Sequence, residues 1–341
     1  MCEPAAVKQK IGSGIFLSGG VNVRLVMTLL EVENLKTYYL TRRGPVKATD
    51  EVSFDVGNGE VFGLAGESGC GKTTTALSIM KLVPPPGQIT GGKIIFEGKD
   101  VVPMGDDQLR DLRWKAISVV FQGAMNALNP VMIVGKQIVE GILAHENVTK
   151  EEAWERAKEL LDLVGISSER VKDYPHEFSG GMRQRVMIAM ALACHPRLLI
   201  ADEPITALDV IVQRQVLTVF KELQRKLNLT VILITHDLSA IAATCDRVAI
   251  MYAGKIVEQA STFSIFKRPM HPYTKALIGA FPSIRGEKKS LEYIPGAPPE
   301  LINPPSGCRF HPRCQYSTDI CKKEEPMQEA KGDHLVACHL M

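Results

Sequence analysis

No apolar run among these 341 residues approaches the roughly 18 that a helix needs to cross a bilayer. The longest are short stretches at 186–194 and 230–235, so the chain is expected not to span a membrane. Charge of one sign is equally scarce. The 40 Lys and Arg against 38 Asp and Glu leave +2, too weak a field for nucleic-acid binding through net charge. Lys8 and Lys10 precede an apolar patch at 15–17, but Gly12, Gly14, Gly19 and Gly20 interrupt it, unlike the apolar centre of a secretory leader. With 45% apolar and 23% charged residues, disorder throughout, collagen-like repeats and a disulfide miniprotein are excluded. That leaves room for one large domain and a smaller one.

Residues 1–26 read as a mobile tail, and Met27, which opens a strand-like segment at 27–32, is expected to be the true start. From 27 to about 265, short β-rich runs alternate with long amphipathic segments, the pattern of an α/β domain. Runs at 61–65, 117–121, 198–201 and 231–235 are apolar with little alternation, as in strands covered on both faces. Thr149 and Glu152 form a capping box for a helix with an apolar stripe at Trp154, Ala157, Leu161 and Val164, ended by Gly165. From 266 onward the texture changes. Pro269, Pro272, Pro282, Pro295, Pro298, Pro299, Pro304 and Pro305 exclude helix interiors and central strands there, marking a C-terminal extension over 266–341.

Residues 66–73, Gly-Glu-Ser-Gly-Cys-Gly-Lys-Thr, match G-x-x-x-x-G-K-[ST] directly after an apolar strand. Glycines let backbone N–H groups turn inward around phosphate oxygens, and the next helix offers its positive end. Gly66, Ser68, Gly69, Cys70, Gly71 and Thr74 are expected to line this cradle. Lys72 is expected to reach the β- and γ-phosphates, and the Thr73 hydroxyl to hold Mg²⁺. Cys70 sits near a helix N-terminus, where its pKa is expected to fall and oxidation to block the site. The run at 198–203 ends an apolar strand in Asp202 and Glu203. Side chains alternate along a strand, so the acids take different roles: Asp202 in the Mg²⁺ shell, Glu203 polarising a water. Ser179, Gly180 and Gly181, with Met182, open a further helix as a second anion site.

In order, Gly66 to Thr73, Gln122, Phe178 to Arg185, Asp202 with Glu203, Ala207-Leu208-Asp209 and His236 resemble the Walker A, Q-loop, signature, Walker B, D-loop and H-loop of an ABC ATPase. The resemblance implies a P-loop NTPase nucleotide-binding domain, α/β, with an antiparallel β-subdomain and a helical subdomain over about 122–185. It also implies a head-to-tail pair of such domains burying ATP between one Walker A and the other's signature. Gln122 would then sense the γ-phosphate and Mg²⁺, Glu203 would be the base, and His236 would contact the γ-phosphate. Tyr39 is the expected adenine-stacking residue, with Tyr38 the second choice. Cys70, Met182, Gly123-Ala124 and Ile205 depart from the usual pattern without removing a phosphate ligand or the base.

The signature run at 178–191, His271-Pro-Tyr-Thr274 and Ile294-Pro-Gly-Ala-Pro298 are similar to the D-type ATP-binding subunit of oligopeptide, dipeptide and nickel importers. That resemblance implies an F-type ATPase partner (or a second copy), two membrane-spanning permease subunits, an extracytoplasmic solute-binding protein acting indirectly, and a peripheral place on the cytoplasmic face of the membrane. Met132 and Ile133 are the expected membrane-subunit contacts. Cys308, Cys314, Cys321 and Cys338 have none of the C-x2-C pairs of small zinc modules, yet four thiolates suit an iron–sulfur cluster. A similar tail in the subfamily implies a [4Fe–4S] cluster. Zinc, drawing on His311, His334 or His339, is the alternative.

Overall fold

The computed structural model describes residues 28–123, 127–280 and 294–341. The expected tail at 1–26, its start at Met27, and Ala124 lie outside them. A four-stranded antiparallel sheet, ordered β2-β1-β4-β5, comprises β1 (Thr28–Thr41), β2 (Gly44–Gly57), β4 (Gly87–Phe96) and β5 (Lys99–Asp100). The main sheet has eight strands, ordered β11-β12-β10-β9-β3-β8-β7-β6. Its parallel part is β3 (Val61–Ala65), β6 (Ile117–Val120), β7 (Leu198–Asp202), β8 (Thr230–Thr235) and β9 (Arg247–Tyr252). β10 (Lys255–Ser261), β11 (Glu329–Lys331) and β12 (His334–Val336) extend it antiparallel.

The helices are α1 (Lys72–Ile79), α2 (Asp106–Leu112), α3 (Val134–His145), α4 (Lys150–Leu163), α5 (Gly180–Ala191), α6 (Val210–Leu227), α7 (Leu238–Thr244), α8 (Thr262–Lys267), α9 (Pro272–Gly279) and α10 (Asp319–Lys323). Along the central strands, alternate residues feed two cores. Val61, Ala65, Leu199, Ala201, Val231 and Leu233 pack on one face, Phe62, Leu64, Leu198, Ile200, Ile232 and Ile234 on the other. Burial on both faces is why these strands read as unbroken apolar runs. Thr149 caps α4 as expected: its Oγ1 accepts from Glu152 N (3.2 Å) and Glu152 Oε2 accepts from Thr149 N (2.8 Å). Gly165 beyond it stands at φ 73°, the left-handed geometry that ends helices.

The C-terminal extension is not a loose appendage. Its β12 pairs with β10, and β11 with β12, so it supplies two strands of the main sheet. The join is polar as well as apolar: the wholly buried Glu258 accepts from the backbone N–H of Met270 (2.8 Å) and His271 (2.9 Å) and lies 2.8 Å from His334 Nδ1. Among the described residues no helix is long and apolar enough to cross a membrane.

Candidate functional site

The parallel strands end together: Ala65 of β3 pairs with Thr235 of β8, Asp202 of β7 with Ile234, and Val120 of β6 with Ala201. Gly66, His236, Glu203 and Gln122 follow those ends, so four segments distant in the chain meet at one carboxyl edge, where open α/β sheets bind ligands.

The loop after β3 is pressed against its surroundings. A Cβ at Gly66 (φ 152°) would fall 2.2 Å from Met251 O, and one at Gly71 (φ 107°) 2.1 Å from Ala48 O. Only glycine fits such approaches. Gly71 caps the start of α1. Lys72 is 5% exposed, and its Nζ donates to the carbonyls of Gly66 (2.7 Å) and Glu67 (2.9 Å). Ser68, Gly69 and Thr73 are exposed and Thr74 is half-buried. Cys70 departs from expectation. It is buried, and burial pushes its thiol up against the lowering effect of Lys72, so the neutral thiol prevails and this cysteine is a poor target for oxidation.

At the end of β7 the two acids separate as strand alternation requires. Asp202 is 1% exposed. Burial raises its pKa, opposed by the Thr73 hydroxyl, and among the described residues its Oδ1 is buried without any partner. An orphaned carboxylate oxygen beside a hydroxyl is the donor set that Mg²⁺ takes, oxygen ligands with waters completing the shell, so Thr73 and Asp202 fit the ion. Glu203 turns away at φ 48°, a left-handed conformation uncommon for a side chain other than glycine. Its Oε1 lies 2.9 Å from His236 Nδ1 and its Oε2 accepts the Thr206 hydroxyl (2.7 Å). Burial raises the Glu203 carboxyl, but His236 and Thr206 outweigh it and hold the pKa below the usual carboxylate value. Thr206 was not read from the sequence. Its signal is the spacing of three residues from Glu203 within one turn. His236 is expected on the γ-phosphate; in the structure its described partner is Glu203.

Gln122 is exposed one residue past the first position beyond β6. Of the two candidate aromatics, Tyr38 is committed elsewhere: its hydroxyl donates to Asp50 Oδ1 (2.6 Å), which is also paired with Arg309. Tyr39 is half-buried, its ring lying over Gly87 of β4, where an added Cβ would fall 2.7 Å from Cε1.

The second anion site stands apart from this edge. Exposed Ser179 caps α5, its Oγ accepting from Met182 N (3.3 Å), and α5 packs on α3, α4, α6 and β6. A Cβ at Gly181 would fall 2.1 Å from Val212 Cγ1. Asp209 caps α6, accepting from Val212 N (3.0 Å), beside the exposed Val210 and Ile211. Gly180, Gly181 and Asp209 thus share one shoulder.

This motif order and geometry match known proteins. A family model described as ABC transporter matches residues 49–206, and one described as oligopeptide/dipeptide transporter, C-terminal region, matches 257–321. The dipeptide transport ATP-binding protein DppD of Bacillus subtilis is 48% identical over 92% of this chain and 94% of its own length. The chain belongs to the oligopeptide/dipeptide branch of the ABC transporter ATPases. The oligopeptide transport ATP-binding proteins OppD of Bacillus subtilis (49%, 93% of this chain, 90% of that protein) and Escherichia coli (45%, 91% and 92%) are similar to it. The dimeric structure of an ATP-binding cassette in a post-hydrolysis state, bound to ADP and Pi, superposes with TM-score 0.61 at 26% identity, covering 68% of this chain and 98% of that one. In ABC terms, Walker A, Walker B, Q-loop and H-loop residues meet at the sheet edge, while the signature and D-loop form the shoulder, and the chain is an ATPase of this family.

The tail cysteines bear on the expected cluster. Burial pushes Cys308 up to about 11, with the thiols of Cys338, Cys321 and Cys314 pushing the same way. The four therefore lie near one another as free thiols. Among the described residues no three His, Cys, Asp or Glu side chains are grouped to hold a metal ion, so the expected [4Fe–4S] cluster gains no support from such a grouping. His311 Nδ1 meets Cys308 O (3.0 Å), His339 Nε2 meets Glu324 O (2.8 Å), and His334 is buried against Glu258.

Proposed function

We propose that this chain hydrolyses ATP to energise import of peptides or similar small solutes. It would act as one half of a head-to-tail pair with an F-type ATPase subunit or a second copy, beneath two permease subunits fed by a solute-binding protein. The observation that carries the reading is the meeting of Lys72, the partnerless Asp202 oxygen and the Glu203–His236–Thr206 cluster at one sheet edge. Lys72 exchanges its two loop carbonyls for phosphate oxygens when ATP enters, and Tyr39 supports the adenine. Thr73 and Asp202 would hold Mg²⁺, with Gln122 alongside, and the ion would offset the negative charge of the phosphates. Glu203 orients the attacking water and takes its proton. His236 fixes the carboxylate's direction through the 2.9 Å contact.

Exposed Ser179 with Gly180, Gly181 and Met182 serves the partner's ATP, since nothing in this chain requires two cradles around one nucleotide. The membrane-subunit contact lies in the helical part near Met132 and Ile133, both half-buried behind Val131, which is 83% exposed. Such contacts would hold the chain peripherally at the cytoplasmic face. The test is reconstitution with the neighbouring subunits in vesicles. Uptake of a labelled short peptide should require ATP and this chain; uptake of nickel or an oligosaccharide instead would replace the cargo, and ATP turnover indifferent to loaded binding protein would end the transport reading. A [4Fe–4S] or zinc site in the tail draws support only from the nearness of four thiols. Protein purified without oxygen and carrying neither iron with labile sulfide nor zinc would dismiss it.

A further inference from the structure

Glu67, the second residue of the phosphate loop, adds a carboxylate to a loop built for anions. It is held at three points. Its N–H donates to the Tyr273 hydroxyl (3.0 Å), its carbonyl accepts from Lys72 Nζ (2.9 Å), and its carboxylate is gripped by Arg313 through two bonds, Nη1–Oε2 (2.7 Å) and Nη2–Oε1 (3.0 Å). Two of the three holds come from the C-terminal extension. The Arg313 side chain is 6% exposed and otherwise anchored to Pro295 O (2.8 Å), Gly296 O (3.3 Å) and the Tyr252 hydroxyl (3.3 Å). Tyr273, wholly buried, packs at 4.7 Å on Tyr252 and 5.3 Å on Phe310. A second arginine of the extension, Arg309, pairs with Asp50 and with Ala253 O. The turn that it grips donates Gly254 N–H to Cys70 O (2.9 Å).

We propose that Arg313 is a positioning residue for the triphosphate: it neutralises and fixes Glu67 so that Lys72 and the loop amides present an undiminished positive cradle, which makes the C-terminal extension a determinant of ATP affinity. A fork of two charge-assisted bonds fixes direction as well as charge. Left unpaired, the Glu67 carboxylate competes with phosphate for Lys72 and repels it.

This inference rests on the nucleotide reading above, and one experiment separates the two. MgATP binding and steady-state turnover are measured on the full chain as wild type, Arg313→Gln, Arg313→Lys and the double variant Glu67→Gln/Arg313→Gln, with melting temperature checked for each. Arg313→Gln should weaken MgATP binding by about 5- to 150-fold, the span of ordinary coupling between sites, while kcat at saturating ATP stays within about twofold. Adding Glu67→Gln should recover most of the lost affinity, because the offending charge is gone, and Arg313→Lys should fall between. A purely structural role would be rescued too, but in melting temperature and affinity together. Affinity lost and recovered while the melting temperature stays near wild type marks the positioning role; affinity that only tracks melting temperature overturns it. Affinity unchanged in Arg313→Gln, or equally poor in the double variant, overturns the proposal; if Arg313→Gln does not fold, the double variant against Arg313→Lys carries the same comparison. Wild type that binds no MgATP would instead sink the nucleotide reading itself.

Discussion

Glu203→Gln is expected to leave MgATP bound and to cut turnover by roughly 10²- to 10⁴-fold, the contribution of a positioned general base. The substitution keeps the length and shape of the side chain, and the amide can still face Thr206 and His236, which hold the carboxylate at 2.7 and 2.9 Å. What it removes is the capacity to accept a proton from water. Because His236 and Thr206 hold the Glu203 pKa below its ordinary value despite burial, the base is ionised throughout the neutral range. The base contribution in wild type should therefore be constant there and lost only as acid carries the pH down through the depressed value; the variant should show no such loss from this group. Phosphate release under single-turnover conditions, paired with a nucleotide-retention assay, checks both halves. Unchanged hydrolysis would remove the assignment of the base.

Lys72→Ala is expected to remove stabilisation of charge developing on the γ-phosphate, a loss of roughly 10²- to 10³-fold or more in turnover by analogy with deleting one preorganised donor. Binding should weaken in parallel. The ammonium is also a brace for the loop, because Gly66 O and Glu67 O both accept from it. Truncation leaves two carbonyls without their donor, so a modest fall in melting temperature should accompany the kinetic loss. Normal ATP binding together with normal transport would contradict the cradle.

Much of this site was legible because its chemistry is written in short contiguous runs. The loop at 66–73 and the Asp202–Glu203 pair each need a fixed local spacing, and buried parallel strands announce themselves as apolar runs. The capping box at Thr149 is likewise local. What escaped depends on residues far apart in sequence. The grip of Arg313 on Glu67 spans 246 positions, and no pattern in either neighbourhood implies it. The pairing of β12 with β10 escaped for a similar reason: a three-residue strand carries no period to detect. Cys70 was misjudged because proximity to a helix N-terminus was visible, whereas its burial was not. The cysteine spacing could say that four thiols might meet, but only coordinates could say whether three of them close to ligand distance.

The hydrogen-bonded border between β10 and β12 has a consequence for inheritance. A cut near residue 265, where the ATPase motifs have all passed, would divide a single continuous sheet and leave Glu258 sealed in the interior without its histidine. The extension is therefore part of the sheet rather than a detachable module, and a recombinant chimera joined there would need an incoming strand that pairs with β10 and a partner for Glu258.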